Sequence, residues 1–337
     1  MNYDMTRLID LQTQVGFIWA YRFDAEGNAH LLPREQMPVI ELPENEFLWL
    51  HLDLIDNRAK QWISDCAVLP AEAQAVFLSH DDHQRLHHST DFAWGVTFDQ
   101  VREIDSRADE IGMLHWIIGE NLLLTGRRQA LQAARLTHDA LAGGFKATSP
   151  VVLFERLIEY VIEDVAADVM QLTEDTDRVE DHILDDRMGD EARRLGLIRR
   201  RTVKLHRQLN GLHLLFRRFS ETSSARTAPE TVKSAAGRLL HQVDTMLTDV
   251  QIVQQRARLL QDEIAAKLTT QTNNHLYVLS ILTATLMPAT LITGLFGVNT
   301  KGLPFNDNDW GFDYVIILSI LAGLAIYWLL RRKRMIH

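Results

Sequence analysis

Thr283, Met287 and Thr290 stand at steps of four and three residues inside a run, Leu276 to Phe296, that holds no charged side chain. The row extends back through Leu279, Leu276 and Thr272, forward to Gly294, and ends near Asn299. Steps of three and four put these residues on one face of a helix. Hydroxyls, a thioether, an amide and backbone carbonyls are uncharged ligands, and they suit a cation that keeps much of its water. Such a stripe could line a pore built from several copies of the helix. The same residues also fit a simpler arrangement, in which each threonine of a lipid-facing helix bonds its hydroxyl to the carbonyl one turn back. Thr285 and Thr293 lie off the row, so a pore role is not required of every threonine. Beyond the run, Asp307, Asp309 and Asp313 follow in a loop with Gly and Pro. Their carboxylates would raise the local concentration of cations.

A second cluster is HDDHQRLHH, with His80, His83 and His87 as candidate Zn²⁺ ligands beside Asp81 and Asp82. His115 and His213 stand alone and read as structural. Neither apolar run contains Asp, Glu, His, Lys, Arg or Cys. That argues against a relay of buried carboxylates and against a His/Cys metal cage within the spans. No Gly-rich phosphate loop or nucleophile elbow occurs, so an enzyme is not expected.

The elements that would position these residues follow from the pattern. The run of 21 residues from Leu276 would span about 30 Å as a helix, the thickness of a bilayer core. A second run, Tyr314 to Leu330, is followed by the basic tail Arg331–Arg334. Positive residues favour the cytoplasmic side, so the tail and the N-terminal region are expected inside and the loop outside. The opening MNYDMTRLID lacks a basic stretch followed by an apolar one, so no signal peptide is expected. The single cysteine, Cys66, excludes an internal disulfide framework. The net charge of −10 disfavours nucleic acid as a partner.

Upstream, GFIWAYRF, EFLWLHLDL, DFAWGVTFD and GMLHWIIGENLLLTGR read as strands, the last as a hairpin. DNRAKQWISDC and PAEAQAVFLS read as short helices. An acidic helix follows Pro150 and breaks at Met188-Gly189-Asp190. A basic helix, from about Glu191 to Phe219, completes a hairpin with complementary faces. A nucleic-acid patch on the basic helix is the alternative, opposed by its acidic neighbour. SETSSARTAPE is a loop. From Glu230 to Phe296 the only strong breaker is Pro288. Within that stretch Val243, Met246, Val250, Val253, Ala257, Leu260, Ile264 and Leu268 form a near-heptad seam, expected to assemble with copies of itself. The domains are therefore a cytoplasmic α/β domain (1–149), a helical hairpin and stalk (150–275), a first span (276–296) and an outer loop (297–313). A second span (314–330) and a basic tail (331–337) complete the chain.

TGLFGVN, followed by a short loop and a second span, resembles the CorA family of divalent-cation transporters. The family signature Gly-Met-Asn reads here Gly297-Val298-Asn299, and MPATLITG resembles the family's Met-Pro-x-Thr segment. GVNTKGLP is closer to the family's zinc-transport branch than to its magnesium branch. The resemblance implies a homopentameric funnel in a bacterial inner membrane, with both termini cytoplasmic. It implies a pore lined by the first span, with Asn299 at the outer mouth and Thr290, Met287, Thr283 and Leu279 below it. The transported ion would be Zn²⁺, with Mg²⁺, Co²⁺ and Ni²⁺ as alternatives, and no cofactor is implied. Val298 in place of Met and the loop LPFNDNDWGFD depart from the magnesium pattern. In related transporters an Asp-x-Gln-Arg loop precedes a strand where the His-rich segment lies, which makes that segment a connector. A membrane-tethered sensor or scaffold is the alternative from another class, and the polar row with its asparagine disfavours it.

Overall fold

The computed structural model describes residues 16–33, 45–81, 83–101, 111–187, 189–221, 230–298, 304 and 310–333. The chain divides into two compact units, 1–258 and 259–337. The first unit holds β1 (Phe17–Phe23), β2 (Ala29–Leu31), β3 (Phe47–Asp53), α1 (Asn57–Asp65), α2 (Ala71–Leu78), β4 (Arg85–His88), β5 (Ala93–Gln100), β6 (Ile111–Ile118), β7 (Leu122–Arg127) and α3 (Gln132–Ala142). The helices α4 (Pro150–Leu184) and α5 (Glu191–Glu221) follow. Helix α6 (Glu230–Gly297) runs from the first unit into the second, which also holds α7 (Gly311–Arg332).

The seven strands form one sheet in the order β2-β1-β3-β7-β6-β5-β4. Among the described residues only β3 and β7 pair in parallel; β6 and β7 are the expected hairpin, closed by Gly119 N–H donating to Leu122 O at 2.8 Å. Strands β3, β5 and β7 are buried nearly throughout, as befits apolar-rich strands covered on both faces, and they carry His51, Thr97, Asp99 and Thr125 inside with them. Helices α1 and α2 cover one face, where Ile63 and Phe77 join Leu48, Leu50 and Leu124 in the core. On the other face Trp116 meets Phe154 of α4, ring centroids 4.5 Å apart. Trp49 Nε1–H there donates to Thr125 Oγ1 at 2.8 Å.

Local sequence sets the helix ends. Ser149 caps α4 by accepting from Val152 N–H at 3.3 Å, and Pro150 fills the first turn, where a missing N–H costs nothing. The N-cap of α3 is Leu131, which offers no acceptor. The fully buried Asp99 of β5 supplies one instead, accepting from Ala133 N–H with both oxygens (3.1 and 3.2 Å) and from Gln100 N–H at 2.7 Å.

The packing corrects one expectation and extends another. Most of the α6 seam does not await copies of itself: Val243, Val250, Val253, Ala257, Leu260 and Ile264 are already buried within the single chain, Met246 is half-buried, and Leu268 is 49% exposed. A heptad pattern reports that a helix is partnered and is silent about which chain supplies the partner. The expected hairpin of α4 and α5 is present, and the acidic face of α4 also serves α6. Glu155 pairs with Arg238 of α6 at 2.5 Å, and Arg256 of α6 reaches Asp177 and Glu180, each at 2.6 Å. The expected loop 220–230 lies largely outside the described residues.

Burial pushes the Asp99 carboxyl up to about 7, partly opposed by its backbone hydrogen bonds and slightly helped by Asp164. The native state therefore holds a proton that the unfolded chain, titrating near 3.8, has released. The stability contributed by this group is full below the unfolded value and is lost as pH rises through the folded one. Asp99→Asn keeps an acceptor without the charge. Its melting temperature relative to the parent should move in its favour as pH rises from about 4 to about 7. A difference that does not vary with pH would show that Asp99 does not titrate in that window.

Candidate functional site

Helices α6 and α7 are long and apolar enough to cross a membrane. Within the apolar part of α6 every described threonine spends its proton on the helix itself. Thr283 Oγ1–H donates to Leu279 O at 2.9 Å, Thr285 to Ile281 O at 2.8 Å, Thr290 to Leu286 O at 3.1 Å and Thr293 to Ala289 O at 3.0 Å. The lipid-compatible arrangement read from the sequence is thus present. It does not oppose a polar pathway, because a hydroxyl that has donated still offers lone pairs outward.

The placement around the helix axis separates two faces. At 3.6 residues per turn, Leu279, Thr283, Met287, Thr290, Gly294 and Gly297 fall within about 40° of one direction. All six are exposed, Met287 at 63%. The opposite side carries Ile281, Ala284, Thr285, Pro288, Ala289, Ile292 and Phe296, each half-buried. On α7 the covered row is Val315, Ser319, Ala322, Gly323, Ile326 and Leu330, with Ser319 only 9% exposed. The two covered rows meet at Gly323, where an added methyl would lie 3.3 Å from the Thr285 carbonyl oxygen. The second span therefore packs on the side of α6 that lacks the polar row, and Thr285 belongs to this contact. Nothing lies within 4 Å of a methyl placed on Gly294 or Gly297.

Helix α6 ends at Gly297, with Val298 beyond it. Asn299, Asp307 and Asp309 lie outside the described residues. Asp313 sits exposed in the first turn of α7, where the helix dipole favours an anion. Arg331 and Arg332 occupy the last turn, the favourable end for cations, and Arg332 stacks over Trp328 at 5.3 Å.

The His-rich segment is not drawn into a coordination group. Among the described residues, no three His, Cys, Asp or Glu side chains come together so as to hold a metal. His83 Nδ1 is bonded to Asp81 Oδ1 at 2.5 Å, and Arg85 holds Asp81 from the other side. His87 lies in the edge strand β4, paired opposite Trp94 and stacked on its ring at 6.1 Å. His80 is exposed before the strand. Each of the three histidines thus has a different setting, although the sequence places them close together. The connector instead ties two layers: Gln84 Nε2–H donates to Gln208 O of α5 at 2.9 Å, and Gly211 leaves room for it. His115 is buried in β6 and accepts or shares a hydrogen bond with Arg128 at 2.9 Å. Burial first, and the Arg128 charge second, bring it down to about 4, so it stays neutral at physiological pH.

Sequence reasoning missed the row on α7. Its signal was Ser319-x-x-x-Gly323, a pair of small residues one turn apart in an apolar helix.

Comparison with known proteins agrees with this layout. The chain is 26% identical over 329 residues to the zinc transport protein ZntB of Pectobacterium atrosepticum, covering 94% of this chain and 96% of that one. It is 25% identical over 328 residues to the divalent cation transporter CmaX of Pseudomonas aeruginosa, covering 95% and 96%. The full-length CmaX structure superposes with a TM-score of 0.79 at 22% identity, over 96% of this chain and 99% of that one. The CorA magnesium transporter of Methanocaldococcus jannaschii does so with a TM-score of 0.77 at 15% identity, over 95% and 99%. Residues 44–332 match the family described as CorA-like Mg²⁺ transporter protein, and with that match spanning most of its length the chain belongs to the CorA-like family.

Proposed function

We propose that this chain is a metal-ion transporter of the inner membrane that carries hydrated divalent cations, Zn²⁺ foremost, along the exposed row of α6. The observation that carries the reading is the segregation of the two faces of α6. Its polar row is turned away from the only helix that packs on it in the described second unit, and is left for copies of the chain to enclose. A hydrated dication presents the protons of its bound waters. Thr283 and Thr290 have already given their own protons to the helix, so towards the ions they act as acceptors. An anion would need donors, which these two hydroxyls do not offer. Asn299 would add an amide oxygen at the outer mouth, and Asp307, Asp309 and Asp313 a negative field beyond it.

Zinc is favoured by the named zinc transport relative and by Val298 in place of the signature Met. Magnesium is the second reading, favoured by the family description and by the superposed magnesium transporter. Uptake of each metal into liposomes containing the purified protein separates them. The expected result is faster Zn²⁺ entry at equal concentration; faster Mg²⁺ entry would reverse the assignment.

The family resemblance carries the expectation of five copies. With the α6 seam occupied inside the chain, we place the contact between copies on its outer face, where Ile252 and Leu259, seven residues apart, are 50% and 67% exposed. Changing both to Asp should lower the oligomer mass measured in mild detergent while the helical content stays. Val250→Asp with Val253→Asp should instead lower the melting temperature sharply, because unpaired charges would enter the core. If the outer-face variant keeps the parent mass, the contact lies elsewhere.

Asn299→Ala should abolish most metal uptake and leave the oligomer intact. Parental uptake in a correctly assembled variant would remove Asn299 from the pathway. The loop carboxylates should act through a screened field, with a Debye length of about 8 Å at physiological salt. Replacing Asp307, Asp309 and Asp313 with Asn should therefore slow uptake mainly at low ionic strength and leave the metal preference unchanged. A loss that persists in high salt, or an inverted preference, would make the carboxylates direct ligands.

A further inference from the structure

We propose that Gly323 is a positioning residue for the ion pathway: having no side chain, it lets α7 seat against the α6 backbone at Thr285, and that seat fixes which face of α6 is turned to the ions. The inference rests on the transport reading above and adds a residue that touches no ion.

Between helices in lipid there is little hydrophobic drive, so close packing at small residues decides how they sit. The covered row of α7 is small where it meets α6. Ser319 folds its hydroxyl onto Val315 O at 2.8 Å, Ala322 adds only a methyl, and Gly323 adds nothing. A methyl on Gly323 would stand 3.3 Å from Thr285 O and 3.9 Å from Thr285 Cγ2. The first distance is tight, so α6 would have to give by a few tenths of an ångström. The carbonyl oxygen belongs to the helix backbone and cannot rotate aside as a side chain would. A leucine there would drive the helix away by on the order of 1 Å or more. Thr285 lies about 160° around the axis from Thr283. A push at Gly323 is therefore delivered towards the exposed row, narrowing or turning the surface that the ions meet.

The test uses full-length protein in liposomes. Cys66 is the only cysteine and is buried, so single cysteines introduced elsewhere report without interference. Thr283→Cys, Met287→Cys, Thr290→Cys and Ile281→Cys are each combined with Gly323→Ala, with Gly323→Leu, or with Ala325→Leu. The last places the same leucine side chain on the exposed side of α7. The rate of modification by a water-soluble thiol reagent is read alongside metal uptake. With Gly323 intact, positions 283, 287 and 290 should react and 281 should not. If they do not react, the transport reading itself fails. Gly323→Leu should slow modification at the three row positions by about tenfold or more, as a constricted pore excludes the reagent. Gly323→Ala should slow it less, and Ala325→Leu should leave it unchanged. Should Gly323→Leu fail to assemble, Gly323→Ala and Gly323→Ser carry the test, with slowing required in both. Row cysteines that react as fast in the Gly323 variants as in the parent overturn the proposal while leaving the pathway in place.

Discussion

A threonine hydroxyl bonded to the carbonyl four residues back is the interaction on which this reading of the molecule turns. It lets a helix carry oxygen atoms through an apolar span without leaving a proton unsatisfied. It also fixes the sign of what the oxygen can do next, since only acceptor capacity remains. Thr283, Thr285, Thr290 and Thr293 share this bond, yet they do not share a face. What separates a pathway from a lipid-compatible helix is therefore the placement of α7, which covers the Thr285 side and leaves the Thr283 side open.

The first unit is built to hold long helices against a sheet buried on both faces. Apolar packing supplies most of the stability, and charge supplies the matching of elements. Arg238 and Arg256 of α6 find Glu155, Asp177 and Glu180 of α4, so the ten acidic residues of α4 serve more than its hairpin partner. Exposed pairs of this kind add little stability each, typically under about 1 kcal/mol, but they discriminate against shifted alignments of the helices. Asp99 works differently: it is buried, it caps α3 from a neighbouring strand, and its burial cost makes that cap depend on pH.

Much of this could be read before any coordinates. Long apolar runs without charge, the GEN turn between β6 and β7, and the Ser-Pro start of α4 are local signals whose physics does not depend on the rest of the chain. Strands β2 and β4, of three and four residues, are too short for an alternating pattern to declare itself. The seam of α6 was legible as a seam, but its partner was not, because burial within the chain or against another copy demands the same residues. The histidines of the 80–88 segment show that closeness in sequence does not make a cluster: His80 is exposed before the strand, His83 is held by Asp81 and His87 lies on Trp94. The exposed row of α6 was legible as far as Gly297; its complement on α7 was not, since small residues in an apolar helix carry meaning only once a neighbour is placed against them.

The claim that the exposed row of α6 carries the ions can be tested by removing hydroxyls one face at a time. Thr→Val keeps the shape of the side chain and deletes the oxygen. Divalent-cation uptake into liposomes is to be measured for Thr283→Val with Thr290→Val, and for Thr285→Val alone, at matched oligomer content. The account predicts that uptake falls in the first variant and is retained in the second. Equal uptake in both, at the parental rate, would contradict it.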